Sequence, residues 1–188
     1  MTQPELLYTL SSAVTKNTYT TEAAYSGVGG TNTVCSLLAG YFLGDVPNPV
    51  GRSLQLEAWG TIANTAAATF AVNLGFDTTA GTKANSVAVH AAYTPTSAVT
   101  APWFLTARYT CTAFTTTAFS LQVNGNIRYE SVAAGGAPTT TGQCAGFQAA
   151  ITGMDPRVQF YLELFGTWSA SSASNTTTLQ QMFLWGLN

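Results

Sequence analysis

Asp155-Pro156-Arg157-Val158-Gln159-Phe160-Tyr161-Leu162-Glu163-Leu164-Phe165-Gly166-Thr167-Trp168 opens the closing third of the chain, and its reading decides the fold. From Val158 onward, Val158, Phe160, Leu162, Leu164, Gly166 and Trp168 fall on one side. Arg157, Gln159, Tyr161, Glu163, Phe165 and Thr167 fall on the other. A period of two places alternate side chains on opposite faces of a strand, so this run predicts a strand with one face in a core. Asp155-Pro156 marks a turn ahead of it, because proline fixes φ and has no N–H for a ladder. A small polar link, Ser169 to Asn175, follows, and then a second run rich in β-formers, Leu179 to Trp185. The spacing predicts that these two strands form a terminal hairpin.

Working outward, Ser53 to Ile62 shows the same alternation, with Leu54, Leu56, Ala58, Gly60 and Ile62 against Gln55, Glu57, Trp59 and Thr61. Thr69 to Phe76 reads as its return in a meander hairpin. Trp103, Leu105, Ala107, Tyr109 and Cys111 alternate with Phe104, Thr106, Arg108 and Thr110, and a turn at Thr115 to Thr117 brings back Ala118 to Asn124. Asn124-Gly125-Asn126 is a turn signal, with Ile127 to Val132 continuing beyond it. Leu6 to Leu10, Lys16 to Ser26, Thr33 to Phe42, Asn85 to Tyr93 and Gln143 to Thr152 supply further short strands, and Ala133 to Gly142 an exposed loop. Met1 to Leu10 reads as an arm or edge strand, and residues 11–188 as one domain. The expected fold is all-β: an antiparallel β-sandwich of jelly-roll type, with roughly eight to ten strands.

The 188 residues fit a single domain. Charged residues make up 7% of the chain, against roughly 25% in ordinary soluble domains. Thr, Ser, Asn and Gln must therefore keep the exterior wet, and a surface with so little charge tends to associate. Six scattered cations, Lys16, Arg52, Lys83, Arg108, Arg128 and Arg157, argue against a nucleic-acid partner. No run approaches a membrane span, and Met1 to Glu5 lacks the basic start of a signal peptide. Cys35, Cys111 and Cys144 have no metal-binding spacing and read as buried free thiols, with one disulfide as the alternative.

Titratable groups are too few to assemble a catalytic set. His90 is the sole histidine, on a half-buried run. Asp45, Asp77 and Asp155 sit in expected loops without an Asp-x-Asp spacing, so turn formation is their reading. Glu57 and Glu163 would have to meet across a cleft to act as a glycosidase pair; cross-strand links are the plainer role. No catalytic, cofactor-binding or metal-ligating residue is assigned. The aromatics are more informative. Trp59, Tyr161 and Phe165 fall on the less apolar sides of their strands, and Phe104 joins them, which predicts a subunit interface or a second buried face. Leu6, Leu7 and Tyr8 of the arm complete the expected contact set.

Three stretches carry a resemblance: Leu6-Leu-Tyr-Thr-Leu-Ser11 with Asn17-Thr-Tyr-Thr-Thr21; Gly51-Arg-Ser-Leu-Gln-Leu-Glu-Ala-Trp-Gly60; and Trp168-Ser-Ala-Ser-Ser-Ala-Ser-Asn-Thr-Thr-Thr-Leu-Gln-Gln181. In this order the pattern resembles the jelly-roll structural proteins of tailed bacteriophages, of the capsid-decoration or minor-head kind. The resemblance implies a virion location on the capsid surface and a homotrimer seated against the major capsid protein or another virion protein. It carries no catalytic residues, cofactor, nucleic-acid contact or membrane contact with it. The alternative is a tail- or fibre-associated module that recognises host glycans through Trp59, Trp103 or residues Thr94 to Pro102.

Overall fold

A computed structural model describes residues 5–10, 12–17, 23–24, 35–37, 49–63, 68–79, 86–89, 100–130 and 143–187. All regular structure among them is β: β1 (Glu5–Thr9), β2 (Val14–Asn17), β3 (Ala23–Ala24), β4 (Cys35–Leu37), β5 (Ser53–Ala63), β6 (Phe70–Asp77), β7 (Ser86–Ala88), β8 (Ala101–Phe114), β9 (Phe119–Tyr129), β10 (Gln143–Met154), β11 (Phe160–Trp168) and β12 (Thr176–Leu187). The larger sheet runs β1-β12-β5-β8-β9-β10, with β2 beside β1 on the same edge of β12; the smaller runs β3-β11-β6-β7, with β4 also on β11. Twelve segments thus fill six strand positions in one sheet and four in the other, ten in all.

The pairing is nested. β1 and β2 bond β12, β3 and β4 bond β11, β5 bonds β8, and β6 bonds β7, every pair antiparallel. A two-stranded ribbon rolled into two layers gives this pattern, which is a jelly roll. The hairpin partner β9 and then β10 extend the larger sheet beyond the roll.

Leu54, Leu56, Leu105, Tyr109, Leu121, Val123, Ile127 and Met182 of the larger sheet face Phe70, Val72, Leu74, Phe76, Leu162 and Leu164 of the smaller, all buried. Phe76 reaches Tyr109 across the core at 5.9 Å, and Phe119 meets Phe160 edge-on at 5.2 Å. Trp168 Nε1 donates to Thr177 Oγ1 at 3.2 Å, a wholly buried bond that ties the end of β11 to β12.

Four expectations are corrected. β11 and β12 are not a hairpin, since they lie in different sheets, and the same holds for β5 and β6. Alternation identifies an inward face but is silent on which layer supplies it. Val158 is exposed within the Asp155 turn, where its N–H bonds the Asp155 carbonyl; the strand begins at Phe160. Asn124-Gly125-Asn126 is not a turn either. β9 runs straight through it, in register with both β8 and β10. The glycine is there for close approach: a Cβ on Gly125 would lie 2.2 Å from the Thr106 carbonyl oxygen and 2.6 Å from the Phe147 ring. The expected strand over Gln143 to Thr152 is present as β10.

Asp77 and Asp155 shape turns: Asp77 Oδ1 accepts from the Thr78 N–H at 2.7 Å, and Asp155 Oδ1 from the Arg157 N–H at 3.0 Å. Cys111 is a buried free thiol and Cys144 an exposed one, so burial holds for the first only and the two do not pair. The Cys35 side chain, Asp45, Lys83, His90 and the loop over 133–142 lie outside the described residues.

Candidate interaction surface

The two sheets differ in what lies on their outer sides. On the smaller sheet, Gly75, Asp77, Glu163 and Phe165 point away from the core yet are buried. The outer side of the larger sheet is open, and the register builds it row by row. Across β12, β5, β8 and β9, one row is Trp185, Gln55, Arg108, Asn124; the next is Phe183, Glu57, Thr106, Asn126; the third is Gln181, Trp59, Phe104, Arg128. Leu6 of β1 adds to the first row beside Trp185, and Gln148 of β10 closes its other end.

The rings touch one another. Trp59 and Phe183 lie 5.5 Å apart, Phe183 and Trp185 6.1 Å, and the Arg128 guanidinium sits 5.1 Å from the Phe104 ring centre. A guanidinium over a ring face is attracted by its quadrupole. Phe104 is 37% exposed and Leu6 46%, among the most exposed large apolar side chains described. Thr106 is short where Phe104 and Arg108 are long, and two shallow depressions flank it. One, of about 320 Å³, is lined by Glu57, Trp59, Phe104 and Thr106; the other, of about 250 Å³, by Gln55, Thr106, Arg108 and Asn124.

The charges on this face are of both signs, Glu57 and Glu130 against Arg108 and Arg128. Arg128 bonds Glu130 at 2.7 Å, with both side chains more than a third exposed, so water screens the pair and it adds at most about 1 kcal/mol. Gln55 Nε2 donates to Glu57 Oε1 at 2.7 Å, and Arg108 Nη2 donates to the Ser53 hydroxyl at 3.4 Å. Neither Glu57 nor Arg108 joins an ion pair among the described residues.

Leu6, Trp59 and Phe104 are thus gathered on one face. Leu7 and Tyr8 lean on the chain's own core. Tyr161 is half-buried on the smaller sheet, and Phe165 is 2% exposed, its ring where a Cβ of Gly75 would be. Phe165 is therefore covered within the chain and belongs to the second buried face, not to an open surface. Trp103, the other ring named for a glycan reader, is wholly buried in the core. Glu57 and Glu163 sit on the outer sides of opposite sheets and are not brought together. Among the described residues no three His, Cys, Asp or Glu side chains gather where a metal ion could sit, and no helix is long and apolar enough to cross a membrane.

Sequence reasoning missed Phe183 and Trp185. Their signal was the alternation against Met182 and Leu184, but a bulge between Leu179 and Gln181 breaks the period just ahead of them. No family model, curated protein or solved structure matches the chain.

Proposed function

We propose that this chain is a structural protein of a tailed-bacteriophage particle, a decoration or minor head protein that joins its assembly by burying the outer face of the larger sheet. The observation that carries this reading is the ring cluster Trp59, Phe104, Phe183 and Trp185 on an open sheet face without a lysine among the residues of its three rows. Protein interfaces are enriched in aromatic residues and arginine and depleted in lysine and carboxylates, which is the composition here. A subunit that binds the assembled shell and not its parts stabilises that shell by mass action. The phage setting comes from the sequence resemblance; the face supplies the means of attachment.

The test is reconstitution. Particles from a deletion strain are incubated with purified protein, and the bound copies and heat resistance are measured. The expected result is hundreds of copies per particle and a shell that survives higher temperature. Trp59→Ala or Phe104→Ala should weaken binding by about tenfold or more, as central interface rings do. Absence of binding, or binding indifferent to both substitutions, refutes the reading. A second reading, glycan recognition, is favoured by the row of hydrogen-bonding groups Gln55, Arg108, Asn124 and Gln148 beside Trp185. Selective binding to oligosaccharides with no binding to particles would establish it instead.

A further inference from the structure

Glu57 and Arg108 are the two charged groups on the open face that lack an ionic partner among the described residues, and they are diagonal neighbours. Glu57 stands opposite Thr106, two residues from Arg108 on β8, which sets their Cβ atoms roughly 7–8 Å apart. They diverge: the Glu57 carboxylate takes the Gln55 amide, while the Arg108 guanidinium turns toward Ser53. One acid and one base side by side make a surface complementary to itself.

We propose that this face pairs with the same face of a second copy about a two-fold axis, Glu57 of each protomer meeting Arg108 of the other. The inference rests on the reading that the face is buried in the assembly, and it names the occupant as a neighbouring copy, so that Trp59 and Phe104 hold the chain to the particle through that copy and not through the shell protein. An axis lying in the contact plane, midway between the two residues, exchanges them, so one contact is made twice, as a two-fold interface requires. The strands of the two copies then cross steeply, as in orthogonal sheet packing. On the register grid the same axis runs from Trp185 toward Asn126, so Trp185 meets its own counterpart.

Size and charge agree with this occupant. Six strand positions about 4.8 Å apart and ~8 residues deep cover roughly 800 Å², the area each partner gives to a standard interface. A net charge of −2 on 188 residues offers little repulsion between copies. A basic or acidic partner would find only half of its complement here, since the face carries both signs.

Sedimentation velocity on the full chain tests the pairing. The wild-type protein is expected to dimerise, Glu57→Arg and Arg108→Glu each to weaken the dimer by about tenfold or more through like-charge contact. The double variant, with the pair reversed, should return to within about threefold of wild type. Matching thermal melts confirm that each variant is folded. A chain that stays monomeric at its solubility limit overturns the proposal, as do single variants without effect or a double variant that fails to recover. Failure here is separable from failure of the function: a monomer that still binds particles through Trp59 and Phe104 sinks only the pairing. A dimer that ignores particles leaves the pairing standing and sinks the virion role.

Discussion

Replacing Gly125 by alanine tests the strand assignment and the packing together. Gly125 has no positive φ; among the described glycines only Gly51 and Gly153 do, at 93° and 73°. Backbone strain is therefore not the issue, and the cost is steric. The added Cβ would sit 2.2 Å from the Thr106 carbonyl oxygen and 2.9 Å from the Ala107 Cα, both backbone atoms that cannot swing aside. Relief takes roughly 1 Å of separation between β8 and β9, enough to stretch a ~2.9 Å hydrogen bond past its useful range. Two ladder bonds at about 1 kcal/mol each, with overpacking at about 1–3 kcal/mol, give a loss of about 3–5 kcal/mol. In a chain of this size that lowers Tm by about 6–20 °C.

Gly146 is the internal control. It lies on the neighbouring strand, opposite Asn126, and the nearest atom to its Cβ would be the Gly125 carbonyl oxygen at 3.9 Å. Gly146→Ala should be neutral, or stabilising by about 0.4–1 kcal/mol, because alanine restricts the unfolded chain. Chemical and thermal denaturation followed by circular dichroism measures both. A Gly125→Ala variant within about 0.5 kcal/mol of wild type, or a Gly146→Ala variant equally damaged, refutes the packing argument.

Thr177→Val keeps the shape but leaves the buried Trp168 indole N–H without its acceptor, so a loss of about 1–3 kcal/mol is expected from the same denaturation curves. Arg157 hydrogen-bonds the Asp155 carboxylate through its side chain and N–H, bringing its pKa from 3.8 down to about 2. A depressed acid pKa stabilises the fold above the unfolded value, and that contribution disappears as pH falls from about 4 through 2. Carbon-detected NMR titration should place the Asp155 midpoint near 2, and Arg157→Gln should move it back toward 3.8. Burial raises the Cys111 thiol pKa. A thiol reagent should therefore modify exposed Cys144 in the native protein and reach Cys111 only on unfolding, as peptide mass mapping will show.

The inward faces were legible in the sequence wherever the period of two was unbroken. Leu54 to Ile62, Trp103 to Cys111 and Phe160 to Trp168 carry their apolar sets where alternation puts them, and that parity sets Trp103 inward and Trp59 outward although both were named for a glycan reader. What alternation lacks is a term for layer. The short links after β5 and β11 look alike whether the chain reverses within a sheet or crosses to the other, so both were read as hairpins. Gly125 shows a second limit: glycine is demanded by φ or by crowding, and only the neighbouring strand reveals which. Phe183 and Trp185 show a third, because a single bulged residue moves every later side chain to the other face.

The nested pairing has a consequence for biosynthesis. β12, which follows the other eleven strands in the sequence, is an interior member of the larger sheet, holding β1 and β2 on one side and β5 on the other. A nascent chain that stops short of Thr176 has a gap at the middle of that layer, and β1 and β2 have nowhere to dock. Closure of the larger sheet therefore waits until β12 has emerged, and any product terminated before it is left with unpaired ribbon edges for quality control to find.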